Sequence, residues 1–153
     1  MKKLILLFSV VLIGVSCSIF NKYDGPSYKQ VNEREVPDRY VKDLKSQRPN
    51  ATQVRWEMVD SLTYNAKLVD NGNNIRVKYS RNATETHWII PKEYVPSDIT
   101  DHIKEAYADF KIHEVYIADI RNKKVYRAGI YNKKDYKLLE FNIQGKFTTE
   151  IRL

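Results

Sequence analysis

The sequence predicts an α+β fold, a tandem αβββ repeat in which one antiparallel sheet carries one helix per repeat on one of its faces. Three observations predict it. Val36-Pro37 and Val95-Pro96 open two segments 59 positions apart, and after each opening apolar residues recur at helical spacing. Stretches of alternating apolar and polar residues follow both segments. From Tyr64/Tyr126 through Ala66/Ala128, Val77/Leu139 and Tyr79/Phe141 the two halves then keep a constant offset of 62, with three extra residues in the turn before Tyr126. The repeats span residues 36–90 and 95–150 of a domain covering 36–153.

The chain begins like an exported protein. Lys2 and Lys3 precede an apolar run from Leu4 to Val15, broken only by Ser9 and Gly14, and small Ser16 stands before Cys17. The run falls short of the ~20 residues a membrane-spanning helix needs, so residues 1–16 read as a removable signal peptide. Ser16-Cys17 is similar to a bacterial lipoprotein processing site, although Gly14 stands where Leu or a similar residue is usual. Plain secretion and an uncleaved anchor are the alternatives. Cys17 is the only cysteine. In an oxidising compartment a lone thiol has no internal partner, and acylation would convert it into a membrane anchor. Each buried acyl methylene contributes ~0.8 kcal/mol, so more than one chain is needed for a firm hold. Residues 17–35, mostly polar and carrying Gly25-Pro26, show neither period and read as the lipidated Cys followed by a flexible linker.

The first helix takes Val36, Tyr40, Val41 and Leu44 as its apolar face, with Pro37 at its first position, and must end by Arg48-Pro49. Three strands are expected next, with Val54, Trp56 and Met58, then Tyr64, Ala66 and Leu68, then Ile75, Val77 and Tyr79 on one face. Asp70-Asn71-Gly72-Asn73 between the last two is a hairpin turn. The second helix buries Val95, Ile99, Ile103 and Tyr107 and fades at Tyr107-Ala108-Asp109. Its strands place His113, Val115 and Ile117, then Tyr126, Ala128 and Ile130, then Leu139, Phe141 and Ile143 on the helix-covered face. Eleven Tyr against five Gly suits well-filled sheets.

The run Val36-Pro37 … Leu44 … Pro49-Asn50-Ala51-Thr52-Gln53-Val54-Arg55-Trp56, followed by Tyr64, resembles the PepSY-like family of bacterial exported proteins, also described as β-lactamase-inhibitor-like. The second half resembles it through Val95-Pro96, Tyr126 and Leu139-Glu140-Phe141-Asn142-Ile143-Gln144-Gly145-Lys146. Ala83 replaces a usual Gly in the first final turn, and Asp109-Phe110 a Pro-Gly-like pair in the second. The resemblance implies a tandem αβββ lipoprotein or secreted domain, often without known function. It implies no inhibitory residue in this chain.

No constellation for chemistry emerges, and the expectation is a protein that is not an enzyme and needs no cofactor or metal. His87, His102 and His113 lack metal-ligand spacing. Asp101, Glu105 and Asp109 recur along the second helix as a solvated face. Asp70–Asn74 lacks the Gly and the distal Glu of a calcium loop. The net charge of +7 includes the two signal lysines and is spread out, which together with export argues against nucleic acid. Strand positions opposite the helices should face outward: Arg55, Glu57, Asn65, Lys67, Arg76 and Lys78 in the first half, then Glu114, Tyr116, Arg127, Tyr131 and Glu140. Arg55, Lys67, Arg76, Lys78, Tyr116 and Arg127 are the candidate binding residues of this open face, since Arg and Tyr make good interface anchors. The expected protein is an envelope lipoprotein, periplasmic or at the outer membrane, that meets the membrane through acylated Cys17 and a protein partner through the sheet. The alternative is a small-ligand or glycan-binding lipoprotein, which would show a cavity between helices and sheet or an exposed Trp56 or Trp88.

Overall fold

Nine strands follow one another in space as they do in the chain, every neighbour antiparallel. The computed structural model describes residues 26–120 and 123–152; the signal peptide, Cys17 and the first part of the linker lie outside the described residues. In order come β1 (Lys29–Val31), a 3-10 turn (Glu33–Glu35), α1 (Asp38–Gln47), β2 (Thr52–Asp60), β3 (Thr63–Asp70), β4 (Asn73–Tyr79) and β5 (Thr84–Ile90). A second 3-10 turn (Lys92–Tyr94), α2 (Ser97–Ala106), β6 (Lys111–Ile120), β7 (Lys123–Tyr131), β8 (Tyr136–Phe141) and β9 (Phe147–Ile151) complete the fold.

The two helices start and stop alike. Pro37 and Pro96 are the N-caps, one position earlier than expected, with φ of −53° and −55°. Proline lacks the N–H that the start of a helix leaves unpaired, so it fits there at no cost in hydrogen bonding. Each helix runs ten residues and ends before a residue with φ near −135°, Arg48 or Tyr107. The helices bury Tyr40 and Leu44, and Ile99 and Ile103, pairs spaced i,i+4 on one stripe. Tyr40 and Leu44 pack with Trp56, Ala66, Val77 and Tyr79. Ile99 and Ile103 pack with Val115, Ala128, Ile130, Leu139 and Phe141. Both helices therefore cover the same face of the sheet. The Asn71-Gly72 hairpin forms as expected, with φ of 49° and 78° at its two central residues, the pairing a type I′ turn demands.

Several expectations are corrected. Each helix is followed by four strands, not three, because β5 and β9 were not anticipated. Thr84–Ile90 ends in three consecutive apolar residues, since the sheet packs on both faces there, and that hides the period of two. β9 is a largely exposed edge strand with no apolar face to reveal it. The segment assigned to linker carries β1, which pairs Val31 with Trp56 and buries Val31. His113 leaves the helix-covered face: a bulge between Ile112 and Glu114 admits one extra residue, so Ile112 packs towards α2 and His113 is exposed on the other side. A second irregularity between Thr52 and Arg55, with Gln53 at φ 54°, leaves Val54 exposed. Ile143 lies beyond the end of β8, exposed in a turn.

Candidate functional site: the concave face of the sheet

Strand alternation sends the remaining side chains to the face opposite the helices. The twist of nine strands curls that face inward. Val59 on β2 and Ile151 on β9 consequently border one cavity of about 900 Å³. The whole face reads as cross-strand rows. Arg55, Lys67, Arg76 and His87 are successive register partners on β2, β3, β4 and β5. Glu57, Asn65, Lys78 and Glu85 form the next row. Across β6, β7 and β8 lie Tyr116, Arg127 and Glu140.

These groups join into one chain of charge. Arg76 Nη1 lies 2.8 Å from Glu114 Oε1, and its Nε–H donates to His87 Nδ1 at 3.2 Å. That bond makes Nδ1 an acceptor, so the neutral ring carries its proton on Nε2 and gives it to Glu85 at 3.0 Å. Arg127 reaches the same Glu85 oxygen at 3.3 Å and Glu140 at 3.2 Å through both Nε and Nη2. Tyr116 lies beneath this chain, with the His87 ring stacked on it at 4.5 Å and the Arg76 guanidinium 4.9 Å from its centroid. Burial lowers the His87 pKa, and the Arg76 and Arg127 charges add to the effect against Glu85. The hydrogen bond from His87 holds Glu85 below the ordinary carboxylate value, helped by Arg127. For Arg76, burial disfavours the charge, but Glu114 outweighs it and the pKa is raised.

One end of the cavity is aromatic. The Tyr136 ring lies over Gly129, where a Cβ would come within 2.3 Å of Tyr136 Oη, so only glycine admits that ring position. His113 meets Tyr131 and Tyr136 edge-on, each at 6.2 Å between centroids. Tyr28, just before β1, borders the same cavity, and the Tyr136 pKa is raised by burial first and then by Glu114, Tyr116 and Tyr28. Leu138 and Ile151, register partners on β8 and β9, add an apolar wall.

All six sequence-predicted binding residues lie on this face, but in different conditions. Arg55 is exposed and Lys78 half-buried, and neither forms an ion pair among the described residues. Lys67 pairs with Glu57 at 2.7 Å while its side chain stays 50% exposed. Arg76, Tyr116 and Arg127 are not open contact residues: their side chains are built into the charge network. Asn65, expected outward, is buried with its Oδ1 unpartnered among the described residues. Sequence reasoning missed Glu85 and His87 with strand β5, His113 through the bulge, and Tyr136. The Gly129 two positions before Tyr131 in an otherwise bulky strand was the available signal for Tyr136.

The structure also bears on the alternative ligand sites. Trp56 is buried, and Trp88 is half-buried with Lys124 Nζ 5.4 Å from its ring. The cavity beside α1 is about 230 Å³. No group of three His, Cys, Asp or Glu suited to a metal occurs among the described residues, and no described helix is long and apolar enough to cross a membrane.

No family model matches the sequence, and no curated protein matches it. Solved structures do. A BLIP-like protein from Bacteroides fragilis aligns with a TM-score of 0.54 at 21% identity, over 76% of this chain and 86% of that one. A protein described as periplasmic from Bacteroides eggerthii aligns with a TM-score of 0.56 at 17% identity, over 76% and 88% of the two chains. A DUF2874 family protein from Bacteroides uniformis gives a TM-score of 0.56 at 15% identity, with 76% and 88% covered. At these identities the likeness is one of fold, and it fits the mixed α+β architecture of this chain.

Proposed function

We propose that this chain is a non-catalytic envelope lipoprotein, held at the membrane through acylated Cys17, whose concave sheet docks a protein partner. The carrying observation is the composition of that face: Tyr28, His113 and Tyr136 stand at one end of a cavity of about 900 Å³ with a charged floor. Rigid aromatic groups beside guanidinium and carboxylate groups make good anchors for a protein interface. The buried charges from Glu114 through Arg76, His87 and Glu85 to Arg127 and Glu140 satisfy one another, which supports a recognition surface over a reactive centre. A fold neighbour described as periplasmic agrees with the signal-like first sixteen residues. The two halves are read as copies of one unit, now αββββ, because the Pro-capped helices and the buried pairs Ala66/Ala128 and Tyr79/Phe141 coincide.

Site-specific photocrosslinking tests the docking face. A photoreactive residue at Lys78 or Ile151 should give a discrete protein adduct in intact cells, and one at Lys104 on the helix side should not. Equal adducts from both faces, or none from the concave one, refute the reading. Loss of membrane fractionation in Cys17→Ala checks the anchor. The volume of the concavity also lies within the range of small-molecule sites, so a low-molecular-weight ligand that blocks crosslinking without a protein adduct would favour the second reading.

A further inference from the structure

Arg55, Lys67 and Arg76 face one another directly on three adjacent strands, a ladder of like charges. Neighbouring strands lie only about 4.8 Å apart, and like charges directly opposite destabilise a sheet. Two rungs carry a counter-charge: Glu114 holds Arg76 at 2.8 Å and Glu57 holds Lys67 at 2.7 Å. Arg55 has no ion-pair partner among the described residues, and the half-exposed Lys67 pair is screened by water. Arg55 adds no ion pair to the folded sheet, whereas an incoming anion would meet it beside the half-exposed Lys67.

The ladder borders a separate recess of about 170 Å³ that shares Lys67, Arg76 and Glu114 with the larger concavity. That volume is below the roughly 300 Å³ at which small-molecule sites begin. It admits one side chain projecting from something larger. Resting on the reading of the concave face as a protein-docking surface, we infer that the partner is an acidic polypeptide segment that places an Asp or Glu carboxylate against Arg55 and Lys67. The guanidinium of Arg55 offers paired donors that match a carboxylate, and Lys67 supplies a second charge that can turn from Glu57 to the ligand. The aromatic end then supplies apolar contact, and the ladder selects for charge.

The test follows backbone amides of the isotope-labelled protein by NMR during titration with a capped tri-glutamate peptide, a capped tri-lysine peptide and inorganic phosphate. Tri-glutamate should move the amides of Gln53, Arg55 and Lys67, saturably and less at high salt, and Arg55→Ser should weaken it at least tenfold. Arg55 is exposed and unpaired among the described residues, so this variant should keep the parent's far-ultraviolet dichroism. Absence of shifts, equal shifts with tri-lysine, or equally strong shifts around exposed Lys42 and Lys104 overturn the inference. Phosphate moving the same amides as strongly overturns the carboxylate assignment in favour of a general anion site. The photocrosslinked adduct separates the two levels of failure. An adduct undiminished in Arg55→Glu/Lys67→Glu sinks the acidic partner and leaves the docking face standing, whereas no adduct from Lys78 or Ile151 sinks the docking face itself.

Discussion

Replacing Arg76 with Ala should destabilise the fold by about 3 kcal/mol, although the residue lies on the polar face of a sheet. Its side chain is 11% exposed and that of Glu114 is 21% exposed. Removing one partner of a buried pair typically costs ~3–5 kcal/mol, because the other charge stays behind without compensation. Water reaches Glu114 to a modest degree, which brings the pair's share to about 2 kcal/mol. The lost bond to His87 Nδ1 and the lost cation–π contact with Tyr116 add about 1 kcal/mol together. For a domain of this size the melting temperature should fall by roughly 10 °C. Urea unfolding followed by tryptophan fluorescence measures the change, since Trp56 sits in the core. Glu114→Gln and the double variant Arg76→Ala/Glu114→Gln complete a cycle whose coupling should exceed about 1 kcal/mol. A loss below about 1 kcal/mol with no coupling would mean that the network is an ordinary screened surface array, and the account of a built, self-neutralised floor would be wrong.

Three further predictions concern the same fold. Gly129→Ala should cost about 1–2 kcal/mol, because its Cβ displaces Tyr136, and Tyr136→Phe should relieve part of that cost by removing the nearest atom; thermal melts of the single and double variants check it. Because burial lowers the His87 pKa below its ordinary 6.5, the unfolded chain takes up that proton first as pH falls. Stability should therefore decline as pH drops through about 6.5 towards the folded value, and decline again near the ordinary carboxylate range, where Glu85 is held low. In His87→Gln the urea midpoint should lose the first decline and show a weaker second one, since Glu85 then loses the imidazole bond that does most to hold it low and keeps Arg127. Phe141→Ala, at a wholly buried position, should cost about 3–5 kcal/mol by the same unfolding assay, while Tyr94→Ala, 73% exposed, should stay within about 0.5 kcal/mol.

The helix-covered side of the fold was legible because its signals are local. Val36-Pro37 and Val95-Pro96 announce their helices through the missing proline donor, and Tyr64, Ala66 and Leu68 share a face because strand side chains alternate. The Asn71-Gly72 turn follows from two residues that accept positive φ. The concave side was legible only as a list of residues. Parity correctly put Arg76, Tyr116 and Arg127 opposite the helices, yet it carries no information about whether a polar side chain meets water or another side chain. His113 failed for a sharper reason: the bulge between Ile112 and Glu114 inserts one residue, so the alternation counted back from Val115 and Ile117 puts His113 on the wrong face. Glu85 and His87 failed because β5 is packed on both faces and so has no alternating pattern to read.

What the sequence by itself determined is the alternation of two Pro-capped amphipathic helices with antiparallel strands, since propensity, turn chemistry and period act between residues a few positions apart. Only the tertiary structure decided that Glu114, Arg76, His87, Glu85, Arg127 and Glu140, drawn from five strands, neutralise one another on a curled face while Arg55 does not share in it. Charge pairing depends on distances across strands. Those are set by register, bulges and twist, which arise only when the whole sheet has formed.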